Sequence, residues 1–164
     1  APVAGPPPVA PSPSPRAAGP VRSPFCDGIT EAMAQSRDNF RAWALVEGYR
    51  EQGNQLIFGS LFTIPASQHC EIVQSTYGWE YSCQFLDGFT TVRDNVVRCL
   101  PADAPREEKV SPAFLSEPET KTFKIGLPGS RHASEPMVTV WDQVGVPTEI
   151  RVQAPGGLIP MPWE

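Results

Sequence analysis

The sequence predicts an α+β fold: two helices packed on antiparallel β-sheet in the order α-βββ-α-βββ, with a Pro-rich arm before it and an apolar tail after. Three observations carry that expectation. Residues 23–52 and 91–100 repeat apolar side chains at helical spacing, and several short segments between Gly- and Pro-containing turns alternate apolar with polar residues. The stretch His69–Cys83, HCEIVQSTYGWEYSC, reads as two strand arms around a polar turn, with a cysteine in each arm.

The chain of 164 residues fits one domain at 26–153, with extensions at 1–25 and 154–164. Its 20 prolines are more than twice ordinary usage, and they are unevenly placed. Thirteen Lys and Arg against eighteen Asp and Glu leave a net charge of −5, and no basic cluster occurs. Without a basic patch, nucleic acid is not an expected partner. No apolar run reaches the ~18 residues that a spanning helix needs, so no transmembrane segment is expected.

Residues 1–25 hold nine of the prolines and no Lys, Asp or Glu, which forbids a helix or central strand and favours extended polyproline II. Such a segment serves as a spacer, or as an arm along a partner in which Pro6, Pro7, Pro8, Pro11 and Pro13 make the contact. From Ser23 or Asp27 to about Gln52 the pattern is helical. Ser23 before Pro24 is a cap and first-turn pair, Gly53-Asn54 is a stop, and Ile29, Met33, Phe40, Trp43 and Ala44 share a face. Residues 55–64 then read as a strand with a bulge at Gly59, and the two hairpin arms complete a three-strand meander.

A turn centred between Thr76 and Tyr77 places Cys70 opposite Cys83. Four cysteines allow three connectivities. If Cys70 pairs with Cys83, then Cys26 pairs with Cys99. Thr91 and Asp94 resemble a capping box for the second helix, whose Val92, Val96, Cys99 and Leu100 face the core. Residues 101–120 contain four prolines and read as a long surface loop, with Phe114-Leu115 as its apolar anchor. Strands are expected at 121–127, 137–144 and 148–153, with an exposed loop at 128–136. In the tail, Leu158, Ile159, Met161 and Trp163 form an apolar set suited to packing on the sheet or to a second docking arm.

Catalytic patterns are not recognisable. The two histidines, His69 and His132, read as surface residues, and alternation along a strand points His69 away from Cys70. There is no Gly-x-Ser-x-Gly, P-loop, Cys-x-x-Cys or His-Glu-x-x-His pattern. No cofactor or metal ligand set is therefore assigned. An even cysteine count and a start at Ala in a small-residue, Pro-rich segment suit an exported mature protein, periplasmic or secreted.

The size, exported character, two cysteine pairs and lack of cofactor motifs resemble the small subunits of periplasmic membrane-bound quinoprotein (alcohol) dehydrogenases. The resemblance implies a larger partner that holds the quinone and haems, while this chain stabilises or positions it. The expected role is thus a non-catalytic accessory subunit, associated with a membrane only through its partner. A free-standing periplasmic binding or inhibitor module, and a hydrolase with a cryptic site, are the alternatives.

Overall fold

The computed structural model describes residues 22–76, 78–126 and 136–155. Ser23 caps α1 (Pro24–Ser36) by accepting the Cys26 N–H at 3.0 Å, and Pro24 occupies the first turn where its missing N–H costs nothing. The helix buries Cys26, Ile29, Ala32 and Met33. It ends well before the predicted Gln52, because Asn39 and Phe40 turn into left-handed backbone, with φ of 55° and 58°. Phe40 is fully buried there and its ring lies 5.7 Å from that of Tyr81. The shared face of Met33, Phe40 and Trp43 is therefore real, but turns rather than a continuous helix deliver its second part.

Residues expected to finish that helix instead form β1 (Ala44–Gln52), which is almost wholly exposed. Gly53-Asn54, read above as a helix stop, is the two-residue loop of a hairpin to β2 (Gln55–Ser60), with Gln52 opposite Gln55. Gly53 adopts φ 59°, the geometry such loops require. The expected bulge at Gly59 lies on the other strand, where register is lost between Leu45 and Arg50. Gly59 itself is in register. A Cβ there would sit 3.2 Å from Leu45 Cδ1, so glycine lets that side chain lie across the strand.

Next come β3 (His69–Ser75) and β4 (Gly78–Phe85), paired with Cys70 opposite Cys83. The second helix, α2 (Phe89–Cys99), begins at Gly88 with no side-chain cap, so Thr91 and Asp94 do not form the expected capping box. The surface loop expected at 101–120 contains a regular strand, β5 (Arg106–Ser111), whose six residues are all exposed and charged or polar apart from Val110. Having no buried face, it carries no apolar alternation to reveal it. Three strands follow: β6 (Thr120–Gly126), β7 (Met137–Gln143) and β8 (Val146–Gln153).

The fold is α+β, and each helix precedes four strands rather than three. All eight strands form one antiparallel sheet in the order β1-β2-β3-β4-β8-β7-β6-β5. Two four-strand meanders thus meet along β4 and β8. Both helices lie on one face, α1 over β4 and β8, and α2 over β6, β7 and β8. Beneath them run two rows of directly opposed residues. One is Phe123, Val140, Ile150, Cys83 and Cys70; the other is Ile125, Val138, Val152, Tyr81, Ile72 and Phe58. Every one is buried, and each such side chain contributes about 1.5–3 kcal/mol.

Two disulfides close the structure. Cys70–Cys83 spans the β3–β4 hairpin, and Cys26–Cys99 ties the start of α1 to the end of α2. Among the described residues, no helix is long and apolar enough to cross a membrane.

Candidate functional site

The face of the sheet opposite the helices is uncovered by any described element. Alternation along the strands decides what it presents: Val138, Val140, Ile150 and Val152 turn toward the helices, which leaves Thr139, Trp141, Glu149 and Arg151 on the other side. One row crosses all eight strands as Glu107, Lys124, Thr139, Arg151, Ser82, Glu71, Gly59 and Leu45. A neighbouring row holds Lys109, Thr122, Trp141, Glu149, Gln84 and His69.

The centre of this face is Arg151. Its guanidinium lies 4.3 Å from the centroid of the Trp141 ring, donates from Nη2 toward Glu149 at 2.7 Å, and stands 3.8 Å from Glu80. Ser82 and Thr139 beside it are buried, with no described helix or strand lying over them. Burial also acts on Glu80. It raises the carboxyl pKa, and Arg151 only partly opposes the effect. Toward β1 a second ion pair joins Arg50 to Glu71 at 2.9 Å, with His69 exposed nearby.

The β5–β6 hairpin supplies a different kind of surface. Its register runs from Arg106 opposite Ile125 to Ser111 opposite Thr120, and beyond Pro112 and Pro118 an isolated bridge sets Phe114 opposite Glu117. Phe114 and Glu117 exchange both backbone hydrogen bonds, at 3.0 and 2.9 Å. The two arms of the hairpin therefore stay side by side past the end of the sheet, over roughly 13 Å of chain at ~3.3 Å per residue. At its tip Phe114 is 68% and Leu115 92% exposed. Leu115 has φ 53°, a left-handed conformation that a Leu side chain disfavours.

The residues assigned to docking from sequence, Pro6, Pro7, Pro8, Pro11, Pro13, Leu158, Ile159, Met161 and Trp163, lie outside the described residues, as do 128–135 of the loop expected at 128–136. Cys26, Cys70, Cys83 and Cys99 are buried in the two disulfides. Sequence reading overlooked Trp141 and Arg151. Their signal was available in the alternation of 137–143 and 148–153, but their meeting depends on which strands adjoin, which periodicity does not state. Among the described residues, no group of three or more His, Cys, Asp and Glu side chains is placed to hold a metal ion. No protein-family model, curated protein or solved structure matches the chain.

Proposed function

We propose that this chain is a non-catalytic, extracytoplasmic binding subunit that docks on a larger protein through the helix-free face of its sheet. One observation carries the reading: a half-buried Trp141 stacked under Arg151 at the centre of a face that no described element covers. Trp and Arg are the side chains most enriched at the energetic centres of interfaces, and here they are held in place before any partner arrives. The ion pairs around them supply a polar rim of the kind that fixes register. The two disulfides support an oxidising compartment. A membrane-bound oxidoreductase of the periplasm is the partner class that the sequence resemblance suggests.

The test is cross-linking of the full chain in its native envelope, with a photoreactive side chain placed at Thr122 on the open face or at Glu31 on the exposed side of α1. The expected result is one stoichiometric larger protein joined from Thr122 and not from Glu31, lost in Trp141→Ala and Arg151→Ala chains that keep both disulfides. Purification with no larger protein attached, or equal cross-linking from both positions, overturns the proposal.

A further inference from the structure

The two edges of the sheet differ. β1 loses register between Leu45 and Arg50, where Gly48 has φ 78°, and such an irregular edge resists pairing with another strand. β5 is in register along its whole length, has no strand of the described residues on its outer side, and leads into the overhanging hairpin tip. Its charges would ordinarily repel a passing strand. They do not repel a second copy of itself.

We infer that β5 pairs with β5 of a second copy of this chain, antiparallel about Glu108, joining the two sheets edge to edge. A two-fold axis perpendicular to the sheet keeps both helix-bearing faces on the same side. Directly opposed residues must then belong to the same face, which restricts the register to centring on a residue. Centring on Lys109 opposes the two lysines. Centring on Glu107 opposes that carboxylate to its copy and pairs only Arg106 to Glu108 of each strand. Centring on Glu108 pairs Arg106 to Val110 of each strand and sets Glu107 opposite Lys109 twice, on the open face.

The residue on the axis also has a partner. Glu108 stands opposite its own copy, and in each chain it is already bonded to Arg93 of α2 at 2.7 Å, a guanidinium it shares with Asp94 at 3.1 Å, so a cation from within each chain lessens the repulsion between the facing carboxylates. Carried onward in the same direction, Pro112 to Leu115 run past the other copy's Pro105 toward its residues 101–104. There the chain turns at Pro101–Ala104, closed by the Ala104 N–H donating to the Pro101 carbonyl at 2.9 Å. Beside that turn a groove of about 310 Å³ is lined by Met33, Ala34, Leu100 and Pro101 together with the polar Thr30 and Arg37. The exposed tip, strained in the single chain, is thus directed toward this shoulder of the second copy. The exchange is reciprocal and closes at two chains.

Sedimentation velocity of the full, disulfide-bonded chain over a concentration series tests this. The mass is expected to move from one chain to two and to stop there. Lys109→Glu places like charges opposite each other twice and should weaken association by about tenfold or more; Glu107→Lys should do the same. The double variant Glu107→Lys/Lys109→Glu restores both pairs and should return to within about threefold of the parent. Leu115→Gly should weaken association while keeping the fold. A single-chain mass throughout, open-ended assemblies, or a double variant no better than the single ones would each overturn the inference. These variants leave Trp141 and Arg151 intact, so loss of the two-chain form and loss of a larger partner are separate results.

Discussion

The two halves of the molecule follow one plan and fill it differently. Each runs helix then four-strand meander, and the halves meet along β4 and β8. The first half packs aromatics: Trp43 stacks on Phe62 at 4.4 Å, and Phe40, Trp43 and Tyr81 converge at its centre. The second is mainly aliphatic, built on Ile125, Val138, Val140, Ile150 and Val152 around Phe123. α1 stops early and lies over β4 and β8, so the outer strands of the first half are covered instead by large rings brought in from turns. α2 reaches β6, β7 and β8, and β-branched side chains suffice beneath it.

The same comparison isolates one residue. The first hairpin of each half closes in a two-residue loop whose first position is left-handed, Gly53 in one and Leu115 in the other. Glycine adopts that conformation freely. Leucine adopts it at a cost of about 1–2 kcal/mol, and unlike Phe40 it gains no burial in return. A strained backbone at an exposed apolar side chain fits the contact with a second copy inferred above.

The largest expected effect tests what holds the halves together. Removing Cys26–Cys99 by a double Cys→Ser change opens a loop of sequence separation 73 and should cost about 4 kcal/mol in the chain-entropy model. Removing Cys70–Cys83, with separation 13, should cost about 3 kcal/mol; denaturant titration of both variants measures the order. Within the aromatic half, the Tyr81 hydroxyl donates to the Phe62 carbonyl at 2.8 Å. Burial raises its pKa, keeping the hydroxyl a donor in ordinary buffers. Tyr81→Phe strands that carbonyl and should cost about 1–3 kcal/mol.

Exchanging the two loop residues comes next. Gly53→Leu should lose about 1–2 kcal/mol, and Leu115→Gly should gain less than 1 kcal/mol because glycine also frees the unfolded chain; thermal unfolding reads both. The smallest effect concerns pH. Glu80 binds its proton more tightly folded than unfolded, so it favours the folded chain below its ordinary pKa, and that contribution fades as pH rises through the raised value. Glu80→Gln should flatten this part of the stability profile, and an unchanged slope would remove Glu80 as its source.

What could be read from sequence follows from how locally each feature is encoded. The β3–β4 hairpin was legible because its turn and alternation fix a register within fifteen residues. α2 was legible by its buried face, and the strands at 120–126, 137–143 and 146–153 by their alternation. β1 and β5 were not, because edge strands with exposed faces have no apolar period to show. Phe40 misled because a buried ring at helical spacing can be delivered by a left-handed turn as well as by a helix. The open face was hidden for a further reason: Trp141 and Arg151 meet only because β7 lies beside β8, a relation set by the whole sheet.

The cysteines are nested, with Cys70–Cys83 inside the span of Cys26–Cys99. A chain made from its N-terminus presents Cys26 and Cys70 before either correct partner exists, so pairing neighbours in order of appearance gives the wrong bonds. The hairpin resolves this. Its register brings Cys70 and Cys83 together from local sequence, and the sheet then withdraws both from solvent, leaving Cys26 one possible mate. The spacing of the chain thereby favours closing the inner bond, with a separation of 13, before the outer one, with a separation of 73.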